Sequence, residues 1–94
     1  MLSLETLLDD RATVEVRYRK HRFNVTFRPG AFNVELDSVG VIEFLAKLVE
    51  SWDLTHEGVM VPITEAKISE LIPVPVQLAI RTVIVREVMV NPEA

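Results

Sequence analysis

"ATVEVRYRKHRFNVTFRPG", residues 12–30, decides the fold. Val14, Val16 and Tyr18 alternate with Glu15, Arg17 and Arg19, and Phe23, Val25 and Phe27 alternate with Arg22, Asn24, Thr26 and Arg28. A period of two marks half-buried β-strands, so the stretch reads as two strands with one apolar and one charged face. Facing Tyr18 with Phe23, Val16 with Val25 and Val14 with Phe27 keeps the six apolar side chains together and leaves Lys20-His21 as the turn. A slip by one residue would turn one strand inside out. Lys-His is a poor pair for a tight turn, which favours Gly or Asn at positive φ, so a longer loop stays open. Pro29-Gly30 ends the second strand. The expected hairpin covers residues 12–28.

Downstream the period changes. In "AFNVELDSVGVIEFLAKLVESW" a rotation of about 100° per residue gathers Val34, Val41, Ile42, Phe44, Leu45, Leu48 and Val49 in one sector, opposite Glu43, Lys47 and Glu50. This predicts a helix over 33–52. Asn33 suits its N-cap, Glu35 and Asp37 its first turn, and Glu43 and Lys47 stand at i and i+4 in the favourable order. Gly40 weakens it by about 1 kcal/mol relative to Ala. Trp52, the chain's one tryptophan, falls at the centre of the sector, which makes it core rather than a ligand site. Asp53 is then placed to bond a following backbone N–H in the turn.

Thr64 caps a short helix over 64–72, which buries Ile68, Leu71 and Ile72 and stops at Pro73. The last segment, "VQLAIRTVIVREVMV", is rich in β-branched residues and compatible with a strand; its length and the Pro75 start favour a helix over 75–90. As a helix it carries two apolar faces. Val76, Ile80, Val83 and Ile84 form one, and Leu78, Val85 and Met89 form a second that needs a partner. The expectation is a single α+β domain over 1–94: a two-stranded antiparallel hairpin packed on an amphipathic helix, then a short helix and a longer C-terminal one.

Composition narrows the function. Of 94 residues, 49% are hydrophobic and 26% charged, and there is no cysteine, so disulfides, thiolate nucleophiles and cysteine-bound zinc are absent. The first ten residues lack a basic segment followed by a long apolar one, and no apolar run is long enough for a membrane span, so a cytoplasmic protein is the expectation. The net charge of −4 is uneven: residues 11–28 hold six Lys or Arg against Glu15 alone. Arg17, Arg19, Lys20, Arg22 and Arg28 could meet a phosphate backbone with salt-dependent affinity. Tyr18, Phe23 and Phe27 face the other way and offer no stacking platform to bases. A solvated face that protects the sheet edge is the preferred account of the charges. His21 and His56 have no nucleophile or ligand set at a recognisable spacing, and Gly30, Gly40 and Gly58 form no phosphate loop. The reading is a non-enzymatic protein without metal or cofactor.

Three stretches share a pattern. "FNVTFRPGAFNVEL" resembles the strand, Pro-Gly corner and helix start of the small tail assembly chaperones of long-tailed bacteriophages. "LVESWDLTHEGVMVPIT" is similar to that family's Trp-Asp-Leu corner with a following Pro, here Trp52, Asp53, Leu54 and Pro62. "ISELIPVPVQLAIRTVIVREVMVNPEA" resembles its closing short helix, Pro-rich joint and apolar helix. The likeness spans about residues 13–92. It implies a non-catalytic protein that oligomerises, binds the helical tape measure protein in the host cytoplasm, and is left out of the mature virion. It also implies a frameshifted longer form that recruits the tail tube protein, with this chain as the short form. Two departures stand out: "VIVREVMV" is more β-branched than the family's closing helix, and Val59 and Met60 put apolar residues where the family is more polar. Leu78, Val85, Met89, Val59 and Met60 are the candidate contacts with a client or a second copy.

Overall fold

Strands form where the alternation lies. The computed structural model of the chain, which describes residues 2–90 apart from the side chains of Val34, Asp37 and Val90, pairs β1 (Ala12–Tyr18) with β2 (His21–Phe27) antiparallel. Val14, Val16, Val25 and Phe27 are buried, and Arg17, Arg19, Lys20, Arg22 and Arg28 are exposed. The register differs from the expected one by two residues. Val14 faces Val25, Val16 faces Phe23 and Tyr18 faces His21, so Arg19-Lys20 makes the turn and His21 belongs to β2. A two-residue shift leaves every side chain on its own face, so alternation alone does not choose between these registers. The Thr13 and Thr26 hydroxyls bond at 2.9 Å across the observed one. Arg19 sits at φ 56°, a left-handed conformation that Asn or Gly would adopt with less strain.

The single helix expected over 33–52 is instead three elements. Asn33 caps α2 (Val34–Ser38), its Oδ1 accepting from the Leu36 N–H at 2.8 Å. The chain extends through Val39 and Gly40, and α3 (Val41–Leu48) starts at Gly40 and buries Phe44, Leu45 and Leu48. Glu43 and Lys47 pair at 3.8 Å as their spacing suggests. Val49–Trp52 is then β3, antiparallel to β2, giving a sheet in the order β1-β2-β3. The backbone explains the switch: a lone hairpin would leave the outer N–H and C=O groups of β2 unpaired beside the core, and the β-branched and aromatic Val49 and Trp52 suit a strand. The register shifts between Thr26 and Phe27, which face Ser51 and Val49, so Glu50 is the extra residue of a bulge. A bulge restores residues i and i+3 to one face, and Val49 and Trp52 are both buried. The same spacing also fits a helical wheel, which is why periodicity read this strand as the end of a helix.

After β3, β4 (Thr55–His56) and β5 (Val59–Met60) form a small hairpin. Its two turn residues, Glu57 at φ 54° and Gly58 at φ 82°, are both left-handed, as the tightest hairpin turn requires. Thr64 caps α4 (Glu65–Leu71), accepting from the Lys67 N–H at 3.3 Å. The last segment is helical throughout as α5 (Val74–Val90), with Gln77, Ile80 and Ile84 buried at helical spacing. Sheet, α3, α4 and α5 share one hydrophobic cluster that includes Val16, Phe27, Phe44, Trp52, Ile68 and Ile84. The Arg81 guanidinium lies 5.3 Å from the centre of the Phe44 ring, adding a cation–π contact between α5 and α3.

An N-terminal element was not anticipated. α1 (Leu4–Leu8) is capped by Ser3, whose Oγ accepts from the Thr6 N–H at 3.2 Å, and buries none of its residues. It rests on the 3-10 turn Pro29–Ala31. Gly30 permits the contact, because a Cβ there would stand 2.8 Å from the Leu7 carbonyl oxygen.

Candidate functional site

The Trp-Asp-Leu corner is structural. Trp52 is 4% exposed, and its indole N–H donates to the Val61 carbonyl at 2.9 Å. The Val61 N–H in turn donates to the Leu54 carbonyl at 2.9 Å, so strand β3 and the segment after β5 close on each other around the indole. Asp53 does not bond a following N–H in its own turn, as the sequence suggested. Its Oδ2 accepts from the Asn24 N–H at 3.0 Å, and its own N–H donates to the Asn24 carbonyl at 3.1 Å. The pair terminates the β2–β3 ladder, a role invisible while β3 is read as helix. Leu54 is half-buried and Pro62 exposed.

The candidate contact surface lies mainly on α5. Leu78, Val85 and Met89 are seven and four residues apart, so they follow one stripe about 16 Å long. Leu78 is 47% and Met89 65% exposed. Val85 is half-buried and packs on the core, so it forms the floor of the stripe rather than its crest. A shallow depression of about 300 Å³ is lined by Leu78, Arg81, Thr82 and Val85. The Thr82 hydroxyl is turned back to the Leu78 carbonyl at 2.9 Å, which leaves the threonine's methyl for the surface. Val59, at 68% exposure, and Met60 are displayed on the β4–β5 hairpin. Exposed leucines of α1 and the segment before it, Leu2, Leu4, Leu7 and Leu8, add apolar surface that sequence reading missed. Ser3 followed by Glu5 in the first turn was the available signal.

The basic residues lie on the other face of the sheet. Arg17 stands directly opposite Arg22 across β1 and β2, and its Nε is 3.1 Å from Glu15 Oε1. Arg19 lies over the Tyr18 ring, its guanidinium 5.7 Å from the ring centre, and the Tyr18 side chain raises its pKa above the usual arginine value. Glu50, by hydrogen bonding, does the same for Arg11 at the start of β1. His21 and His56 are exposed, and the nearest acid to His56 is Glu57 at 3.8 Å. Among the described residues no three His, Asp or Glu side chains cluster as a metal site would require, and no helix is long and apolar enough to cross a membrane.

Comparison with known proteins returns no matching family model, no matching curated protein and no matching solved structure. The architecture defines the class as α+β, a three-stranded antiparallel sheet with helices and a long C-terminal helix.

Proposed function

We propose that the protein is a non-enzymatic tail assembly chaperone of a long-tailed bacteriophage. It binds the helical tape measure protein in the host cytoplasm, keeps it soluble, and promotes growth of the tail tube around it. The tube protein is recruited through a frameshifted longer form. The observation that carries the reading is the exposed apolar stripe of Leu78 and Met89 over Val85, displayed on a helix whose other face is locked into the core. An amphipathic helical client supplies the complementary stripe. Many copies along a long client need only modest affinity each.

Co-expression with a bacteriophage tape measure protein tests the reading. The client should stay soluble with this chain and precipitate with the Leu78→Glu, Met89→Glu double variant. Equal solubility with and without the chain refutes it.

A nucleic-acid-binding module using Arg17, Arg19, Lys20, Arg22 and Arg28 is the second reading, favoured by Arg22, which stands opposite Arg17 and has no ion pair among the described residues. A salt titration of DNA and RNA binding separates the two, since a chaperone gives no steep counterion slope.

A further inference from the structure

One edge of the sheet is open beside a helix. β1 has a strand neighbour on one side only. The direction of its free groups follows from Asn24, whose N–H and C=O both go to Asp53 on the β3 side. Its partner Glu15 therefore points its own N–H and C=O away from β2, and by alternation so do Thr13 and Arg17. Among the described residues no other element bonds these groups. Along this edge Glu15 and Arg17 share a groove of about 600 Å³ with Leu78, Thr82, Val83 and Arg86 of α5.

The groove's shape selects its occupant. α5 has β1 as its main strand neighbour and lines the groove outside it, so the helix overhangs the free edge. Pairing with β1 of a second copy would set the two strands about 4.8 Å apart and bring two such helices over the joint. Packed helices need about 8–10 Å between axes, so that arrangement clashes. A lone extended segment has no helix to place and fits. Its side chains alternate between the α5 wall, with Leu78 and Val83, and the open face, where Arg17 stands opposite Arg22. Arg17 is held by Glu15 of its own strand at 3.1 Å, while Arg22 opposite it has no ion pair among the described residues, so an acidic side chain on the neighbouring strand supplies the second anion this facing pair lacks. Arg86 adds a cation on the helix wall.

We propose that the groove between β1 and α5 takes an extended peptide strand of alternating acidic and aliphatic residues, added to the sheet edge through backbone hydrogen bonds. The chaperone reading concerns a helical client on the outer stripe of α5; the two sites share Leu78 and Thr82, and only the strand site uses the backbone edge of β1 and Arg17.

The probe is a blocked synthetic peptide of alternating Glu and Val, titrated into the full chain and followed by backbone amide NMR shifts and hydrogen exchange. Binding should slow exchange of the Glu15 and Arg17 amides and shift the resonances of Leu78 and Thr82. N-methylation of every second peptide residue, on the strand-facing edge, should weaken binding at least about tenfold, as should Arg17→Glu. A Lys-Val peptide that binds equally well, or an N-methylated one that does, overturns the proposal. So does a free protein that already self-associates with the Glu15 and Arg17 amides protected.

Discussion

Replacing Trp52 by Phe is the sharpest test of the corner that ties β3 to the segment after β5. The indole N–H is the donor to the Val61 carbonyl at 2.9 Å, and both residues are 4% exposed. Phenylalanine keeps an aromatic ring but has no donor, so the carbonyl is left buried and unpaired at a cost of about 1–3 kcal/mol. The smaller ring also gives up packing equivalent to one or two methylene groups, about 1–2 kcal/mol. Together these give roughly 2–5 kcal/mol, which lowers Tm by about 10–25 °C in a domain of this size. Urea denaturation followed by far-UV circular dichroism measures the change, with the m-value unaltered if the native state keeps its compactness. The Val61 amide, which donates to the Leu54 carbonyl, should also exchange faster in the variant. A loss below about 0.5 kcal/mol, with Val61 exchange unchanged, would refute the assignment of Trp52 as the closure of this corner.

Gln77→Glu probes the joint between α4 and α5, where the Gln77 side-chain amide donates to the Ile72 carbonyl at 2.8 Å and the Ile68 carbonyl at 3.3 Å. Burial would raise the folded-state pKa of the new carboxyl above its unfolded value of about 4.3, so the penalty is smallest below about pH 4 and grows as pH rises through the folded pKa; melting curves across pH check this. Asp53→Ala should cost about 1 kcal/mol by freeing the Asn24 N–H, read as a lower urea midpoint and faster Asn24 exchange. Gly30→Ala should displace α1 from the Pro29–Ala31 turn, seen as proteolytic cleavage within residues 4–8, while the urea midpoint moves little because α1 buries nothing. Leu78→Glu with Met89→Glu should leave stability within about 0.5 kcal/mol of the parent while abolishing client solubilisation or self-association; Val85 is unsuited to the test, since its half-buried side chain would damage the core.

Strands β1 and β2 and helices α4 and α5 were legible because each has a local cause. Alternation marks β1 and β2, the Thr64 cap and Pro73 bound α4, and Val76, Ile80, Val83 and Ile84 keep helical spacing although all four are β-branched. The exposed Leu78 and Met89 were also legible, as apolar residues left over once the core face was assigned. The role of Gln77 was not legible, because its partners are carbonyls at the end of another helix. The groove beside β1 escaped sequence reading for a similar reason: it is made by a strand edge and a helix some sixty residues apart in the chain.

What the sequence by itself determined is most of the apolar faces: which apolar side chains turn inward on β1, β2, α3, α4 and α5, and that Trp52 belongs to the core. Periodicity acts through nearest neighbours, so it is written locally. What only the tertiary structure decided is how those faces are joined. Alternation leaves the two-residue choice of hairpin register open, and the conversion of Val49–Trp52 from a helix end to a bulged third strand and the Asp53–Asn24 closure depend on backbone groups of β2 that need partners. Those partners lie more than twenty residues away, and a bulged strand and a helix place Val49 and Trp52 on one face alike, so no local pattern separates them.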